Sequence, residues 1–413
     1  RMVDDQSTAP RKWYQALGPG LITACVVIGP GSILTSSKVG ADNGFALSWV
    51  VVASVVFMLS FTTMAARLGV MAKDSPGNML TDRVGRWLAM LVGVSVFFIA
   101  SAFQFGNNLG VHTAFNAYVD FEYIVVLFNA AAIAFLFCFK NLYKALEKLM
   151  MGFVGLMLLA FAANLFFAKP QLGEWARGFV PSGLGEIDIT VLGLVGTTFV
   201  IAAAYFQIYL VREKGVAKEG LADSLLDSRV GALIMAAITL MIMGTAASVL
   251  RGQELSDAGA VAEQLQPLFG DKGKALFCLG LFSAAYSSFL INSMIGGFVL
   301  ADGLGLGSKP DDPWTRRLTA AVLLTGMGVA LYVIKTGAKP VGAIVMAQAV
   351  TVIAAPLMAG VLLWLCNRKD YMGEHRNGPL LNIVGGIGFL VLLAMAWNTA
   401  FNKVLPKVKD WLG

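Results

Sequence analysis

Apolar runs about twenty residues long, enough to cross a bilayer as helices, recur from one end of the chain to the other. They lie near 16–37, 45–70, 87–118, 121–140, 147–168, 189–211, 229–250, 273–300, 316–335, 340–366 and 378–401. The pattern predicts eleven spans in an all-α polytopic membrane protein. The opening RMVDDQSTAP is polar and lacks the short apolar core of a cleavable signal, so none is expected before the first span.

Basic residues give the spans a direction. With the N-terminus inside, 20 of the 31 lysines and arginines fall in cytoplasmic segments, among them Arg67, Lys73, Arg83, Lys140, Lys214, Arg316 and Arg368. That excess predicts a cytoplasmic N-terminus and an external C-terminus. An odd count also sets spans 1–5 and 6–10 in opposite orientations, as in a five-plus-five inverted repeat with an eleventh helix added. The expected division is 1–168 for the N-terminal tail and first repeat, 169–366 for the second, and 367–413 for the extra helix and tail, all in one transporter domain.

Two spans are interrupted. Gly29-Pro30-Gly31 falls near the middle of the first, where proline withholds a backbone donor and glycine lowers the cost of unwinding. The sixth carries Gly193 and Gly196, then Thr197 and Thr198, at the matching place and without proline. Paired interruptions point to a midplane binding site. A simple kink in span 1, and close helix packing at Gly193 and Gly196, are the structural alternatives.

Composition narrows the class. With 57% hydrophobic and 14% charged residues and a mean hydropathy of +0.72, a soluble enzyme, a disordered chain and a disulfide scaffold are excluded. Cys25, Cys138, Cys278 and Cys366 show neither CxxC nor CxH spacing, so no zinc site is expected. No nucleophile–base pair or phosphate cradle occurs, and neither enzymatic activity, a cofactor nor a nucleic-acid partner is expected.

Within the spans the polar residues are neutral: Ser32, Thr35, Thr197, Thr198, Tyr205, Gln207, Tyr286, Ser287, Ser288, Asn292 and Gln348. Ionisable groups, which mark function when buried in hydrocarbon, stay near the ends of spans 1 and 6. Span 3 carries Gln104, Asn107, Asn108 and His112 at helical spacing. They either bond between helices or line a pathway, and His112 is either a packing residue or a proton carrier. Lys73-Asp74-Ser75-Pro76-Gly77-Asn78 is read as a plain turn after span 2 rather than a metal motif. Gly303, Gly305 and Gly307 follow a helix, so the dinucleotide fingerprint fails. Arg212, Lys214 and Lys218 are read as a positive anchor.

Several segments resemble the NRAMP family of divalent-metal transporters, an inverted-repeat fold of the LeuT type. They are GPGLITACVVIGPGSILTSSKVGADNGF in span 1, Gly178-Phe179-Val180-Pro181 before span 6, Tyr286 to Gly303 in span 8, and Ala347-Gln348-Ala349 with Pro356 in span 10. The resemblance covers nearly the whole chain and implies that fold. The site residues depart from it. Gly29-Pro30-Gly31-Ser32 stands where the family has Asp-Pro-Gly-Asn. Val200-Ile201-Ala202, or with a gap Ala204-Tyr205-Phe206, stands for Met-Pro-His. Gln104 and Asn107 take the place of the span 3 acids, while Gln348 matches the family's glutamine.

Such a centre lacks the carboxylate, imidazole and sulfur donors that Mn²⁺ and Fe²⁺ sites use. A neutral cavity lined by Ser32, Thr197, Gln207 and Gln348 would suit a largely hydrated Mg²⁺, moved by membrane voltage without proton coupling. The substrate site is expected at Gly29, Pro30, Gly31, Ser32, Thr197, Val200, Gln207 and Gln348. The pathway is expected at Gln104, Asn107, Asn108, His112, Tyr205, Tyr286 and Ser287. The alternative is a small anion such as bicarbonate, or a neutral solute, held by uncompensated helix N-termini. A receptor that transports nothing is a third reading. The expected partners are a small inorganic ion and the lipid of a bacterial inner membrane.

Overall fold

The computed structural model of the chain describes residues 18–116, 118–119, 121, 123–139, 141–181, 189–255, 258–336 and 340–401. For 189–190, 258, 260, 263–269 and 340–353 it describes the backbone alone. All regular structure among these residues is helical. The order is α1 (Pro19–Val27), α2 (Pro30–Asn43), α3 (Ser48–Met71), α4 (Pro76–Arg83), α5 (Arg86–Asn116), α6 (Ile124–Cys138), α7 (Leu142–Ala168) and α8 (Leu172–Arg177). There follow α9 (Ile189–Thr198), α10 (Ile201–Lys214), α11 (Leu221–Val249), α12 (Ala258–Leu304), α13 (Pro313–Thr336), α14 (Pro340–Asn367), α15 (Lys369–Met372) and α16 (Pro379–Thr399).

Every predicted span is occupied. Among the described residues eight spans are long and apolar enough to cross a membrane, α9 and α10 running together as one of them, Val191–Lys214. The pair α1 and α2 makes a ninth, bent by 59°. The shorter apolar stretches Ile124–Cys138 and Ala354–Asn367 complete the eleven. The structure also refines one boundary: α12 reaches back to Ala258 but is broken at Gly270, whose φ of 68° a side chain would resist.

α5 and α12 pack along one another at the centre, α2 lies against both and against α11, and α1 lies against α12 and α11. α16 contacts mainly α14 and α3. The connections rich in Lys and Arg gather on the face where α1 begins. There Arg212 Nη2 donates to Lys73 O at 3.0 Å, and Arg67 Nη2 to His375 O at 2.7 Å. Arg316 Nη2 donates to Phe139 O at 3.2 Å. Asp370 pairs with Arg83 and Arg368 on this face, and the Arg368 hydrogen bonds hold its carboxyl below the usual range. The anchor residues therefore also tie loops together. On the opposite face Trp49 N–H donates to Gly178 O at 3.0 Å. A Cβ on Gly178 would stand 2.0 Å from the Phe45 carbonyl, which explains glycine at that point.

Candidate substrate site at the interrupted helices

The break between α1 and α2 follows from the missing donor of Pro30. In a continuous helix residue 30 would donate to Val26 O. Proline cannot, and Ser288 Oγ of α12 donates to that carbonyl instead, at 3.2 Å. Ile28 N–H still reaches Ala24 O, Gly29 N–H turns to Val27 O, and Gly29 is extended (φ −116°, ψ 179°). Two neighbours hold the bend. Gly110 of α5 lets the Pro30 ring approach so closely that a Cβ there would lie 2.1 Å from Pro30 Cγ. Gly29 itself faces Ser288 Oγ and Asn107 Oδ1, which lie 3.1 and 3.3 Å from where its Cβ would be.

α2 then starts without a side-chain cap. Its first helical bond is Ile33 N–H to Gly29 O at 3.0 Å, leaving the N–H groups of Gly31 and Ser32 at a positive helix end. Ser32 Oγ is buried there and has no hydrogen-bond partner among the described residues.

Span 6 is interrupted later than its glycines suggest. Gly193 and Gly196 are helical within α9, and the irregular residues are Phe199 and Val200. Gly193 instead serves close packing, since its Cβ would meet Thr35 Cγ2 at 3.1 Å. Thr35 and Thr197 hydroxyls stand 3.3 Å apart, and each donates to the carbonyl one turn back on its own helix, at 2.8 Å. Phe199 is wedged against Phe61 and Phe57, with ring centroids 5.4 and 5.8 Å away. Val200 (φ −85°, ψ 87°) opens α10, accepting from Ala203 and Ala204 N–H.

The residues expected to share one pocket are dispersed. Gln207 lies two turns beyond Val200, where Nε2 donates to Ser228 Oγ at 2.6 Å and Oε1 accepts from Thr23 at 3.4 Å. It lines a cavity of about 10 Å³ with Gly20 and Met235, not the gap between the breaks. The side chain of Gln348 lies outside the described residues. The wide cavity of Ser32, Thr197, Gln207 and Gln348 is thus not formed by the described side chains. Threonine hydroxyls satisfied by local carbonyls allow close packing instead. A cavity of about 20 Å³, enough for one water, flanks Val200 on the side of α5, α14 and α16, with Met358 in its wall and no residue of α1 or α2.

The span 3 cluster is a hydrogen-bonded network. Asn129 of α6 donates to Asn108 Oδ1 at 2.6 Å, Asn108 donates to Gln104 O at 2.8 Å, and Asn107 donates to Gln104 Oε1 at 3.4 Å. Gln104 Nε2 and Asn129 Oδ1 are buried without a partner among the described residues. Only Asn107 of this set is shown beside the break. His112 is half-buried further along α5. Tyr205 is buried one turn into α10, with its ring centroid 6.4 Å from that of Tyr209. Tyr286 stacks on Phe282 and edges against Phe128, at 5.7 and 5.1 Å between centroids. Ser287 donates to Ala284 O, and its neighbour Ser288 is the serine at the break.

Two buried acids were not singled out by the sequence reading as site residues. Asp227 of α11 accepts from Gly18 and Gly20 N–H at 2.9 and 2.7 Å, closing the N-terminus of α1. Asp302 of α12 accepts from Gly77 N–H and Tyr209 Oη, both at 2.7 Å, and from Ser75 Oγ. Ser75 also caps α4, so the supposed turn is a capped helix start. Asp227 lies two residues before the predicted span 229–250, between Asp223 and Arg229, so nothing in the sequence marked it as buried.

The family model for natural resistance-associated macrophage protein-like sequences matches residues 20–402. The chain belongs to the NRAMP family. Among similar NRAMP relatives is the divalent metal cation transporter MntH of Pectobacterium carotovorum subsp. carotovorum (strain PC1), 25% identical over 96% of each chain. The MntH of Yersinia enterocolitica is 26% identical over 96% of this chain and 97% of its own. In three dimensions the chain is similar to the Eremococcus coleocola manganese transporter in complex with an aromatic bis-isothiourea substituted compound. The TM-score is 0.83 at 16% identity, over 98% of this chain and 92% of the other. MhsT in complex with L-phenylalanine has a TM-score of 0.59 at 15% identity, over 92% of this chain and 98% of its own. The protein is a membrane transporter of NRAMP type with a LeuT-type fold, not an enzyme. Among the described residues of this NRAMP chain, no group of three or more His, Cys, Asp or Glu side chains is placed to hold a metal.

Proposed function

We propose that this NRAMP protein carries a divalent cation across the membrane with much of its water shell, Mg²⁺ in preference to Mn²⁺ or Fe²⁺, driven by voltage and without proton coupling through span 3. The carrying observation is the neutral wall around the helix 1 break: Asn107, Ser288, Ser32 and backbone groups. Hydroxyls and amides do not compensate dehydration of a transition metal, whereas Mg²⁺ usually keeps several waters. Divalent cation transport is what the MntH relatives are named for. An inside-negative potential supplies about 2.3 kcal/mol per charge per 100 mV, roughly twice that for a divalent ion. In this reading the basic face is cytoplasmic, the membrane is a bacterial inner membrane, spans 1–5 and 6–10 are the two repeats, and Gln348 belongs to the substrate site.

The deciding experiment is Mg²⁺ uptake into liposomes. Saturable uptake that follows voltage, is reduced by Ser32→Ala, and reaches the same level with or without a pH gradient is the expected result. Absent cation flux beside robust uptake of bicarbonate would reject it.

One observation favours the anion reading enough to keep it in the test. The uncapped start of α2 offers the Gly31 and Ser32 N–H groups and an unpartnered buried hydroxyl. Gly29→Asp separates the readings. A carboxylate there would abolish anion transport, and would admit Mn²⁺ if the cargo is a cation.

A further inference from the structure

α1 is a half-helix of nine residues with a hinge at one end and a carboxylate clasp at the other. The hinge is Ile28–Gly29, already described. At the other end Pro19 has no N–H, and the N–H groups on either side of it both go to Asp227. Gly18 donates to Oδ1 at 2.9 Å, and Gly20 to Oδ2 at 2.7 Å. Each carboxylate oxygen therefore holds one donor, and the negative charge sits against the positive end of the helix.

The clasp is built into close packing. A Cβ on Gly20 would lie 2.2 Å from Asp227 O, and one on Gly231 would lie 2.3 Å from Gly20 O. Asp227 is 1% exposed. Among the described residues, the titratable and charged groups facing it are Tyr143 and Glu147 of α7 and Lys214 of α10. Glu147 is paired with Lys214 at 3.7 Å, and Gly18 abuts that pair.

We propose that Asp227 is a proton-binding site that releases α1 from the basic face when occupied. Attachment of one proton to either oxygen forms an O–H bond and turns an acceptor into a donor. The N–H bond to the protonated oxygen is weakened, its partner loses the assistance of charge, and the charge that opposed the helix end disappears. α1, freed at Gly18 and hinged at Gly29, swings away from α7, α10 and α11. The proton is taken from and returned to the same face, so it sets the rate of opening and does not drive accumulation. This goes beyond the proposed transport function and stands whichever ion is carried.

Cys25 supplies the test. It lies on α1, is buried, and donates to Met150 O of α7 at 3.7 Å. In the full-length protein in liposomes, with Cys138, Cys278 and Cys366 replaced by serine, Cys25 labelling by a maleimide is timed between about pH 5 and pH 8. Each rate is divided by that of a protein keeping only the exposed Cys138 at the same pH, which removes the thiol's own loss of reactivity in acid. Opening on protonation makes this relative labelling of Cys25 rise about tenfold as pH falls. Asp227→Asn is expected to label about tenfold faster than the parent near pH 8, the ratio falling toward one near pH 5. Asp227→Glu is expected to keep a rise in acid. A parent whose relative labelling does not rise in acid overturns the proposal, and so does Asp227→Asn with the parent's rate near pH 8. Should that variant fail to assemble, the parent's own relative profile decides. A failed Mg²⁺ uptake assay leaves this readout untouched.

Discussion

The two interrupted helices reach similar irregular backbone by different means. In span 1 the cause is covalent: Pro30 deprives Val26 O of its donor, Ser288 replaces it, and the axis turns by 59°. In span 6 no proline or glycine stands at the irregular residues, and Phe199 is held by Phe57 and Phe61 while α9 and α10 continue as one span. A break written into the chain produces a sharp bend with an uncapped helix start. A break imposed by packing produces a local loosening. The first is therefore the more durable centre for binding, and the second depends on its neighbours.

Four variants test that contrast, taken from the largest expected effect to the smallest. Pro30→Ala returns an N–H to face Val26 O and favours a straight span 1. Transport in liposomes should fall by tenfold or more, about 1.4 kcal/mol or above, while thermal stability in detergent does not drop. Gly110→Val drives a side chain into the Pro30 ring and should cost about 1–3 kcal/mol by overpacking, read as a lowered melting temperature. Ser288→Ala leaves the Val26 carbonyl buried without its donor. A loss of about 1–2 kcal/mol is expected, with a cost to transport that Ser287→Ala does not share. Among the described residues Gly193→Ala meets Thr35, whose methyl lies at 3.1 Å, and a change below about 1 kcal/mol is expected. If Gly193→Ala proves as damaging as Gly110→Val, span 6 is no more tolerant than span 1 and the contrast fails.

Much of the fold was legible because hydrocarbon imposes a simple rule on sequence. Twenty apolar residues and an internally bonded helix are the main solution, so the spans and the Gly29-Pro30 break could be read directly. The partners of side chains could not. Gln207 looked like a pocket residue because glutamine inside a span is rare, yet its partners are Ser228 on the next long helix and Thr23 on the distant α1. Ser287 and Ser288 are neighbours in sequence, and only their angular position on α12 sends one hydroxyl to its own helix and the other to α1. The glycines of span 6 resembled a break because glycine serves unwinding and close packing alike, and the Thr35 contact decides between them.

The sequence by itself determined where the chain crosses, which connections are basic, and that one helix breaks at proline, because each depends on a local property of the backbone or its solvent. The tertiary structure alone decided which polar groups meet. The clasp of Asp227 on α1 joins residues more than two hundred positions apart, and a single chain read in order carries no measure of that distance.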